Sequence, residues 1–538
     1  MNSTTLPPLT TDRARLLSDL RARREVDVIV IGGGASGLGV ALDARLRGLS
    51  VLLLESHDFA GGTSSRATKL VHGGVRYLAQ GNIGLVREAL HERQALLRNA
   101  PHLAQPLAFV MPAYRFWEVP FYGTGLKAYD ALAGSASLGS TRWLGPAGAK
   151  CHLPGLNTRG LFGGVRYWDG QFDDARLALA LARTAAAQGA LLLNYCPVTE
   201  VMHEAGRVRG VRWRDALNPV SEGGEVRARC VVNAAGVWVD QVRQMDDAAA
   251  GRVTVPMVAP SQGVHLVVNR SFLPSREALL VPRTRDGRVL FAVPWLGHVI
   301  LGTTDTPRHA VAREPQALPE EVAFILGEAA HVLERAPQAE DVLSIWVGLR
   351  PLVRPSDDGD ESTKSISREH TVRVSPAGLV TVTGGKWTTY RAMAEDVLQR
   401  CQQAGLLDDL PASRTAHFQL VGAPGPGTAA TPMTAPPGLH TYGSEADRVR
   451  ELPGADWELA LGLTAAMVRF AVRHEYARTV EDILARRHRM LFLNAALAAQ
   501  QAPAVAGILQ QEIATDGGLA DFLTLARHYR TVPGTIAP

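Results

Sequence analysis

The stretch VIVIGGGASGLGVALDARLRGLSVLLLE, Val28 to Glu55, decides how this chain folds. Val28 to Ile31 is a run of β-branched apolar residues and predicts a buried strand. Gly32-Gly33-Gly34-Ala35-Ser36-Gly37 follows at once and fits G-x-G-x-x-G, with Gly32, Gly34 and Gly37 in the glycine positions. A helical pattern runs from Ala35 to about Arg47 and stops at Gly48; Val51 to Leu54 is the next strand, and Glu55 ends it. The glycines allow a tight turn, let the backbone approach a pyrophosphate and pack helix on strand. The N–H groups at the helix start, around Ser36, then face the phosphate charge. Glu55 stands where an acid accepts a hydrogen bond from a ribose 2′-OH. An acid there would repel a 2′-phosphate, which disfavours NADP but does not separate NAD from FAD.

At 538 residues the chain predicts roughly two to four domains. With 46% hydrophobic and 20% charged residues, and a mean hydropathy of +0.00, the composition is globular with an ample core. A net charge of +4 is too mild to argue for nucleic acid. Five of the 56 basic residues are lysines (Lys69, Lys127, Lys150, Lys364 and Lys386), so a lysine inside a motif draws notice. Cys151, Cys196, Cys230 and Cys401 lie far apart and form no C-x-x-C. That argues against a metal site, a redox dithiol or a disulfide framework and suits a reducing compartment. Met1 to Arg24 is polar and lacks the apolar core of a signal peptide. No uncharged apolar run reaches the roughly eighteen residues a membrane span needs. The expectation is a cytoplasmic protein, with peripheral membrane contact left open.

Outward from the fingerprint, residues 11–24 predict a short surface helix and 84–99 another. Asp173 to Ala187 is Ala/Leu-rich helix, followed by Gly189 and a strand from Leu191 to Tyr195. Residues 208–214 and 225–233 predict paired strands, the second running into Asn233-Ala234-Ala235-Gly236. Strand-like runs recur at His265 to Val268, Val289 to Val293 and Val299 to Leu301, and a helix at 319–335. Strands at 370–383 lead into Gly384-Gly385-Lys386-Trp387-Thr388-Thr389-Tyr390 and a helix. Residues 422–438, rich in Ala, Pro and Gly, form the clearest linker. From 442 onward the pattern is almost all helical, with no strand run. Leu459 to His474 is mostly apolar and is expected to pack in a core rather than lie on a membrane. The simplest architecture is an α/β domain, a β-rich insertion and a helical C-terminal domain.

Directly after Glu55, Asp58 to Leu78 reads DFAGGTSSRATKLVHGGVRYL, dense in Gly, Ser and Thr. Such a loop can aim N–H and O–H donors at phosphate or a flavin ring. Thr63, Ser64, Ser65, Thr68, Lys69, Leu70, His72, Gly73 and Gly74 are therefore candidate cofactor contacts.

At this point the chain resembles the FAD-dependent glycerol-3-phosphate dehydrogenases. The blocks that carry the resemblance are Val28–Glu55, TSSRATKLVHGGVRYL (Thr63–Leu78), Gly302-Thr303-Thr304-Asp305, GLRPL (Gly348–Leu352), GGKWTTYR (Gly384–Arg391) and TVEDILARR (Thr479–Arg487). Their order and spacing suit the family over roughly residues 26–490.

The resemblance implies an α/β FAD-binding fold with two dinucleotide-binding domains, glutathione-reductase-like or amino-acid-oxidase-like, carrying a β-rich substrate cap and a helical C-terminal domain. After an N-terminal extension (1–25), the oxidoreductase region (26–400) would divide. Its FAD-binding parts would be 26–80, 166–240 and 340–400, and its substrate cap 81–165 and 241–339. A linker (401–441) and the helical domain (442–538) would follow. Val198, Ala234, Gly236 and Thr388 join the implied cofactor contacts. No loop histidine apart from His72 offers an attachment point, so FAD is expected to be held non-covalently. No metal is expected.

The implied reaction is oxidation of sn-glycerol 3-phosphate to dihydroxyacetone phosphate, with hydride passing from C2 to flavin N5 and electrons going on to a membrane quinone. A phosphate dianion calls for cations, and an alcohol losing hydride needs a proton acceptor. By resemblance Arg76, Arg368 and Lys386 would meet the phosphate, with His265 and Arg350 at the C2 hydroxyl. His265 is the simpler base, because its ordinary pKa is near neutrality, and Arg350 is cast as an electrostatic stabiliser. Thr388 and Thr389 could cap a helix whose positive end faces the flavin's N1–C2=O edge. On the residues alone, His265 in its apolar strand also reads as a core histidine. Arg368 beside Glu369 reads as a surface ion pair, and Thr303-Thr304-Asp305 as a turn. Rival functions are a glycerol-3-phosphate oxidase using oxygen, an amine or amino-acid oxidase of the same fold, and a flavin-bound interaction protein without activity. A homodimer touching the inner face of the cell membrane is the expected assembly.

Overall fold

The computed structural model describes residues 11–74, 82–285, 287–354 and 369–534. Helix α1 (Arg13–Ala22) precedes strand β1 (Glu25–Ile31), helix α2 (Ala35–Leu46) and strand β2 (Val51–Leu54). Next come β3 (Leu70–Val71), α3 (Ile83–Asn99), β4 (Ala104–Ala113), α4 (Glu118–Ala133), β5 (Arg142–Leu144), α5 (Pro146–His152), β6 (Gly163–Phe172), α6 (Asp174–Ala187) and β7 (Leu191–Leu193). The pair β8 (Val198–Glu204) and β9 (Arg207–Trp213) leads to β10 (Gly224–Asn233) and α7 (Val239–Ala249). After these follow β11 (Val258–Asn269), β12 (Ala278–Val281), β13 (Leu290–Trp295), β14 (His298–Gly302), β15 (Thr306–Pro307), α8 (Pro319–Val332) and β16 (Val342–Val353). Strands β17 (His370–Val374) and β18 (Leu379–Gly384) precede α9 (Tyr390–Gln403). The chain closes with α10 (Ala446–Arg450), β19 (Glu458–Ala460), β20 (Leu463–Thr464), α11 (Ala465–His474), a π-helical turn (Asp482–Arg487), α12 (Met490–Leu493), α13 (Ala495–Ile513) and α14 (Leu519–Arg530).

The first sheet has eight strands, with β18, β10, β1, β2 and β7 parallel in that order. Strand β17 lies antiparallel at one edge, and β8 and β9 extend from β10. Strands β1 and β2 are almost wholly buried, which is why they read as continuous apolar runs rather than alternating ones. Helix α2 crosses α9 where a Cβ on Gly39 would lie 2.8 Å from the Tyr390 ring, so a glycine lets the two helices meet.

The second sheet has ten strands in the order β15-β11-β14-β13-β12-β4-β6-β3, with β16 paired to β11 and β5 to β6. Three of its strands, β3, β6 and β16, come wholly or largely from stretches that the sequence reading grouped with the FAD-binding parts. Strand β6 pairs with β4 from Ala104↔Phe172 to Ala113↔Gly163, so an FAD-binding part starting at 166 would cut a cap strand. Strand β16 pairs with β11 along its length, so residues 342–353 belong to this second sheet. Strand β3, expected in the first FAD-binding part, also pairs with β6. Local pattern marks a strand but not its partner.

The C-terminal helices close over one side of the cap sheet. Trp295 and Trp346 from the cap share a buried cluster with Phe470, Phe492 and Tyr529. Helix α11 buries most of its residues, as expected for a core helix. The hairpin β19–β20 was not expected. Its two-residue turn, Leu461-Gly462, has positive φ at both positions, a hairpin turn usually marked by Asn-Gly. Residues 422–438 carry no helix or strand, yet they are pinned: Met433 N–H donates to Gln105, and Leu296 N–H to the Met433 carbonyl. No helix among the described residues is long and apolar enough to cross a membrane.

Candidate active site

A cavity of about 530 Å³ lies between the two sheets. The fingerprint turn forms one wall. Gly32 has a φ of 110°, and a Cβ there would sit 2.6 Å from the Ala234 carbonyl oxygen, so only glycine lets the ends of β1 and β10 meet. The Glu55 carboxylate fixes this wall: Oε2 accepts from Gly33 N–H at 2.6 Å, and Oε1 from His57 N–H at 2.9 Å. Ser64 Oγ accepts from Ala35 N–H at 2.9 Å and so anchors the start of α2. Trp387 Nε1 in turn donates to the Ser64 carbonyl at 2.8 Å.

Of the expected cofactor contacts, Gly32, Gly34, Ser36, Glu55, Thr63, Ser64, Thr68, Leu70, His72, Val198, Ala234, Gly236 and Thr388 line this cavity. Gly37, Ser65, Lys69, Gly73 and Gly74 do not, for identifiable reasons. A Cβ on Gly37 would collide with the Gly32 carbonyl, so this glycine packs helix on strand behind the lining. Gly73 is pressed against Tyr129 and Leu90, and its N–H donates to Asp169 at 3.2 Å; Gly74 follows it with a φ of 79°. Ser65 turns its carbonyl away, toward Lys69 Nζ at 2.8 Å and Arg489 Nη2 at 2.7 Å. Lys69 is fully buried, with Nζ 2.7 Å from Asp174 and 4.6 Å from the centre of the Trp346 ring. Burial pushes its pKa down to about 7 against the pull of Asp174. It is an internal cation beneath the loop, not a cavity donor.

His265, Arg350 and Lys386 line the same cavity; Arg76 and Arg368 lie outside the described residues. His265 projects from β11 with its ring stacked on Trp346, centroids 4.1 Å apart, and Nε2 2.9 Å from Thr68 Oγ1. Its Nδ1 has no partner among the described residues. Burial, helped by Lys69 and Arg350, holds its pKa well below the ordinary histidine value, so the ring is neutral. The strand context that made it look like a core histidine is real, but its place on the strand turns it to the cavity.

Arg350 on β16 donates from Nη1 to the Thr304 carbonyl at 2.9 Å and from Nη2 to Thr303 Oγ1 at 3.2 Å. Thr303-Thr304-Asp305 is therefore more than a turn. Thr304 Oγ1 also accepts from Val264 N–H at 3.0 Å and donates to buried Glu321 at 2.8 Å. Lys386 follows Gly384 and Gly385, whose φ values are 80° and 70°. A Cβ on Gly385 would lie 2.5 Å from Met393 Sδ, so this bend needs glycine. Thr389 takes the cap position of α9, but its hydroxyl donates back to the Lys386 carbonyl at 3.3 Å and caps no helix N–H.

A family profile described as FAD dependent oxidoreductase matches residues 27–399, and one described as the C-terminal domain of alpha-glycerophosphate oxidase matches residues 385–517. The mitochondrial glycerol-3-phosphate dehydrogenase of Mus musculus is 40% identical over 535 residues, covering 93% of this chain and 72% of that protein. The chain belongs to the FAD-dependent glycerol-3-phosphate dehydrogenase family. The mitochondrial member from Arabidopsis thaliana is likewise 40% identical, covering 90% of this chain and 83% of its own. The glycerol-3-phosphate dehydrogenase of Bacillus halodurans, solved complexed with FAD, matches with a TM-score of 0.76 at 29% identity, over 98% of this chain and 99% of that one.

The residues of this FAD-dependent dehydrogenase suit its cofactor on their own geometry. The wall at Gly32 and Gly34 has no room to spare for side chains: a Cβ on Gly34 would lie 3.0 Å from Ser64 Oγ. The acid, the small-residue turn and the cavity volume are those of a nucleotide cofactor site. Several lining residues carried no sequence signal. Arg313 comes from the loop between β15 and α8, and Phe291 from an ordinary cap strand. His57 lies two residues past Glu55 on the exposed side of this wall, where partial desolvation and nearby Arg313 lower its pKa. Trp387 stood inside the GGKWTTYR block and could have been included from there.

Proposed function

We propose that the protein oxidises sn-glycerol 3-phosphate to dihydroxyacetone phosphate, taking a hydride from C2 and a proton from its hydroxyl. The observation that carries this reading is the meeting in one cavity of the fingerprint turn and Glu55 with His265, Arg350 and Lys386. FAD, when bound there, supplies the hydride acceptor at flavin N5. Glu55 would accept from the ribose, and Gly34, Ser36, Thr63 and Ser64, which line the same wall, would hold the pyrophosphate. His265 takes the hydroxyl proton at Nε2, the nitrogen that meets Thr68 Oγ1, since Nδ1 is buried; the ring is neutral, so it can accept a proton at neutral pH. The phosphate dianion of the substrate raises that basicity once bound, because a nearby negative charge favours the imidazolium. Arg350, aimed by Thr303 and Thr304, steadies the developing alkoxide. Lys386 meets the phosphate as a point charge, with Arg76 and Arg368 proposed beside it.

The test is to mix purified protein with sn-glycerol 3-phosphate without oxygen and follow flavin absorbance. The expected result is rapid bleaching in the parent, and a Lys386→Ala protein that is equally yellow but does not bleach. A parent protein that stays oxidised removes this substrate, and amines and amino acids are tried next.

The acceptor proposed for the electrons is a membrane quinone, reached by peripheral contact with the inner face of the cell membrane. An exposed aromatic face on the cap supports this. Phe116, Trp117 and Phe121 stand at the start of α4, and Trp143 packs over Gly123 of the same helix. Arg115, Lys127 and Arg142 are interleaved with them, and Lys127 Nζ lies 5.6 Å over the Trp143 ring. Aromatic and basic side chains together suit an anionic lipid interface. Replacing Phe116 and Phe121 by Ser is expected to abolish co-sedimentation with anionic vesicles; unchanged binding removes this face from the reading. Hydrogen peroxide formed mole for mole with product in air would select the oxidase instead.

A further inference from the structure

Among the described residues none beyond Met393 lines the cavity, yet the C-terminal domain grips the loop that does. The grip comes from the π-helical turn Asp482–Arg487 and the residue two places after it. Arg486, Arg487 and Arg489 are all buried. Arg487 sets its fork on the Asp58 carboxylate, with Nη2 3.0 Å from Oδ1. Arg486 Nε donates to Oδ2 at 2.5 Å, and Asn194 Nδ2 to Oδ1 at 3.0 Å. Asp58 is fully buried and follows Glu55 by one short turn. Past Asp58, Ala60 N–H donates to the Gly33 carbonyl at 2.9 Å, while Gly33 N–H donates to Glu55 Oε2 at 2.6 Å. The turn from Glu55 to Ala60 is thus tied to the fingerprint glycines on one side and to two arginines of another domain on the other. Arg489 holds the loop's far end through the Ser65 carbonyl.

We infer that Arg487, assisted by Arg486, is a positioning residue for the dinucleotide: by clamping Asp58 it fixes the Glu55 carboxylate in the orientation that accepts the adenosine 2′-OH. The C-terminal domain then completes a site that it does not touch. The physical reason is geometric. A carboxylate already holding Gly33 N–H on Oε2, and His57 N–H and the Ser56 hydroxyl on Oε1, keeps about one lone-pair direction, on Oε2, for a ligand, and that direction is set by the turn carrying it. A buried, forked pair has little freedom to let that turn rock. This rests on Glu55 as the ribose ligand.

The test uses the full-length protein stripped of flavin and titrated, by flavin fluorescence, with FAD and with its analogue lacking the adenosine 2′-OH. In the parent the analogue is expected to bind roughly ten- to a hundredfold more weakly, as for loss of a hydrogen bond to a charged group. In Arg487→Met that ratio should fall toward one, chiefly through weaker FAD binding. Arg487→Lys keeps the charge without the fork and should give an intermediate ratio; it also carries the test should the Met variant not fold. A parental ratio in a folded Arg487 variant, whatever its melting temperature, overturns the clamp. A parent that does not discriminate overturns the Glu55 role, and with it the inference.

Discussion

Replacing His265 by Gln separates proton removal from every other task of the cavity. The glutamine amide can still reach Thr68 Oγ1, which His265 Nε2 meets at 2.9 Å, so the local hydrogen bond survives. What is lost is the basic nitrogen and the stacking on Trp346 at 4.1 Å. The stacking is worth about 0.5–1.5 kcal/mol and falls on stability. The basic nitrogen is worth roughly 10²- to 10⁴-fold in rate, about 3–5.5 kcal/mol of barrier. His265 is neutral in the free protein, so the exchange removes no charge from the cavity, and FAD and substrate affinities should change by less than about threefold. The assay is anaerobic stopped-flow reduction of the flavin across substrate concentration and pH. The base works when unprotonated and is lost as pH falls through its folded pKa, which lies below the ordinary 6.5. At low substrate concentration the parent should therefore keep its reduction rate further into acid than a histidine of ordinary pKa would allow, and the variant should show no such limb. A variant that reduces flavin within tenfold of the parent rate would refute the assignment and return His265 to the core of the cap.

Gly37→Ala places a methyl against the Gly32 carbonyl, so the protein is expected to purify with little or no flavin and to bind added FAD at least about a hundredfold more weakly; parental flavin content would refute the packing argument. Stability should fall in acid, because His488 is buried beside the Leu461 carbonyl with its pKa pushed down to about 4. The unfolded chain takes up a proton near pH 6.5 that the folded chain refuses, so the stability present above that pH is lost below it, by about 2 kcal/mol at pH 5. His488→Gln should shrink the loss measured between pH 7.5 and 5 by that amount, and an unchanged loss would show that this histidine does not contribute.

What the sequence made legible was whatever neighbouring residues decide together. The fingerprint unit, Val28 to Glu55, is such a case, because strand, turn, helix and acid are each set by residues a few positions apart. Most of the site was reachable in the same way, through blocks such as GLRPL and GGKWTTYR that sit in loops at strand ends. Lys69 is set by residues far away in the chain. A lysine in a glycine-rich loop reads as a phosphate donor, but its direction is set by Asp174, 105 residues away. A φ of 65° at Lys69 turns the side chain inward, and composition gives no hint of that angle. Arg313 and Phe291 were illegible for the converse reason, since nothing local distinguishes them from other residues of their types.

The arginine-rich composition acquires a physical meaning in the same light. A lysine offers one compact charge, whereas a guanidinium offers five donors in a plane and can join several acceptors at once. Arg487 uses that breadth, bridging Asp58 to the Glu475 carbonyl, as does Arg489, bridging the Ala485 carbonyl, the Ser65 carbonyl and Asp174. Each links elements from different parts of the chain in a place where an unpaired charge would cost several kcal/mol. Changing Arg489 to Lys could satisfy one of those carbonyls but not all three acceptors. The domain junction beneath the cofactor loop is therefore built on the shape of the arginine side chain as well as its charge, and a charge-conserving exchange there is not conservative.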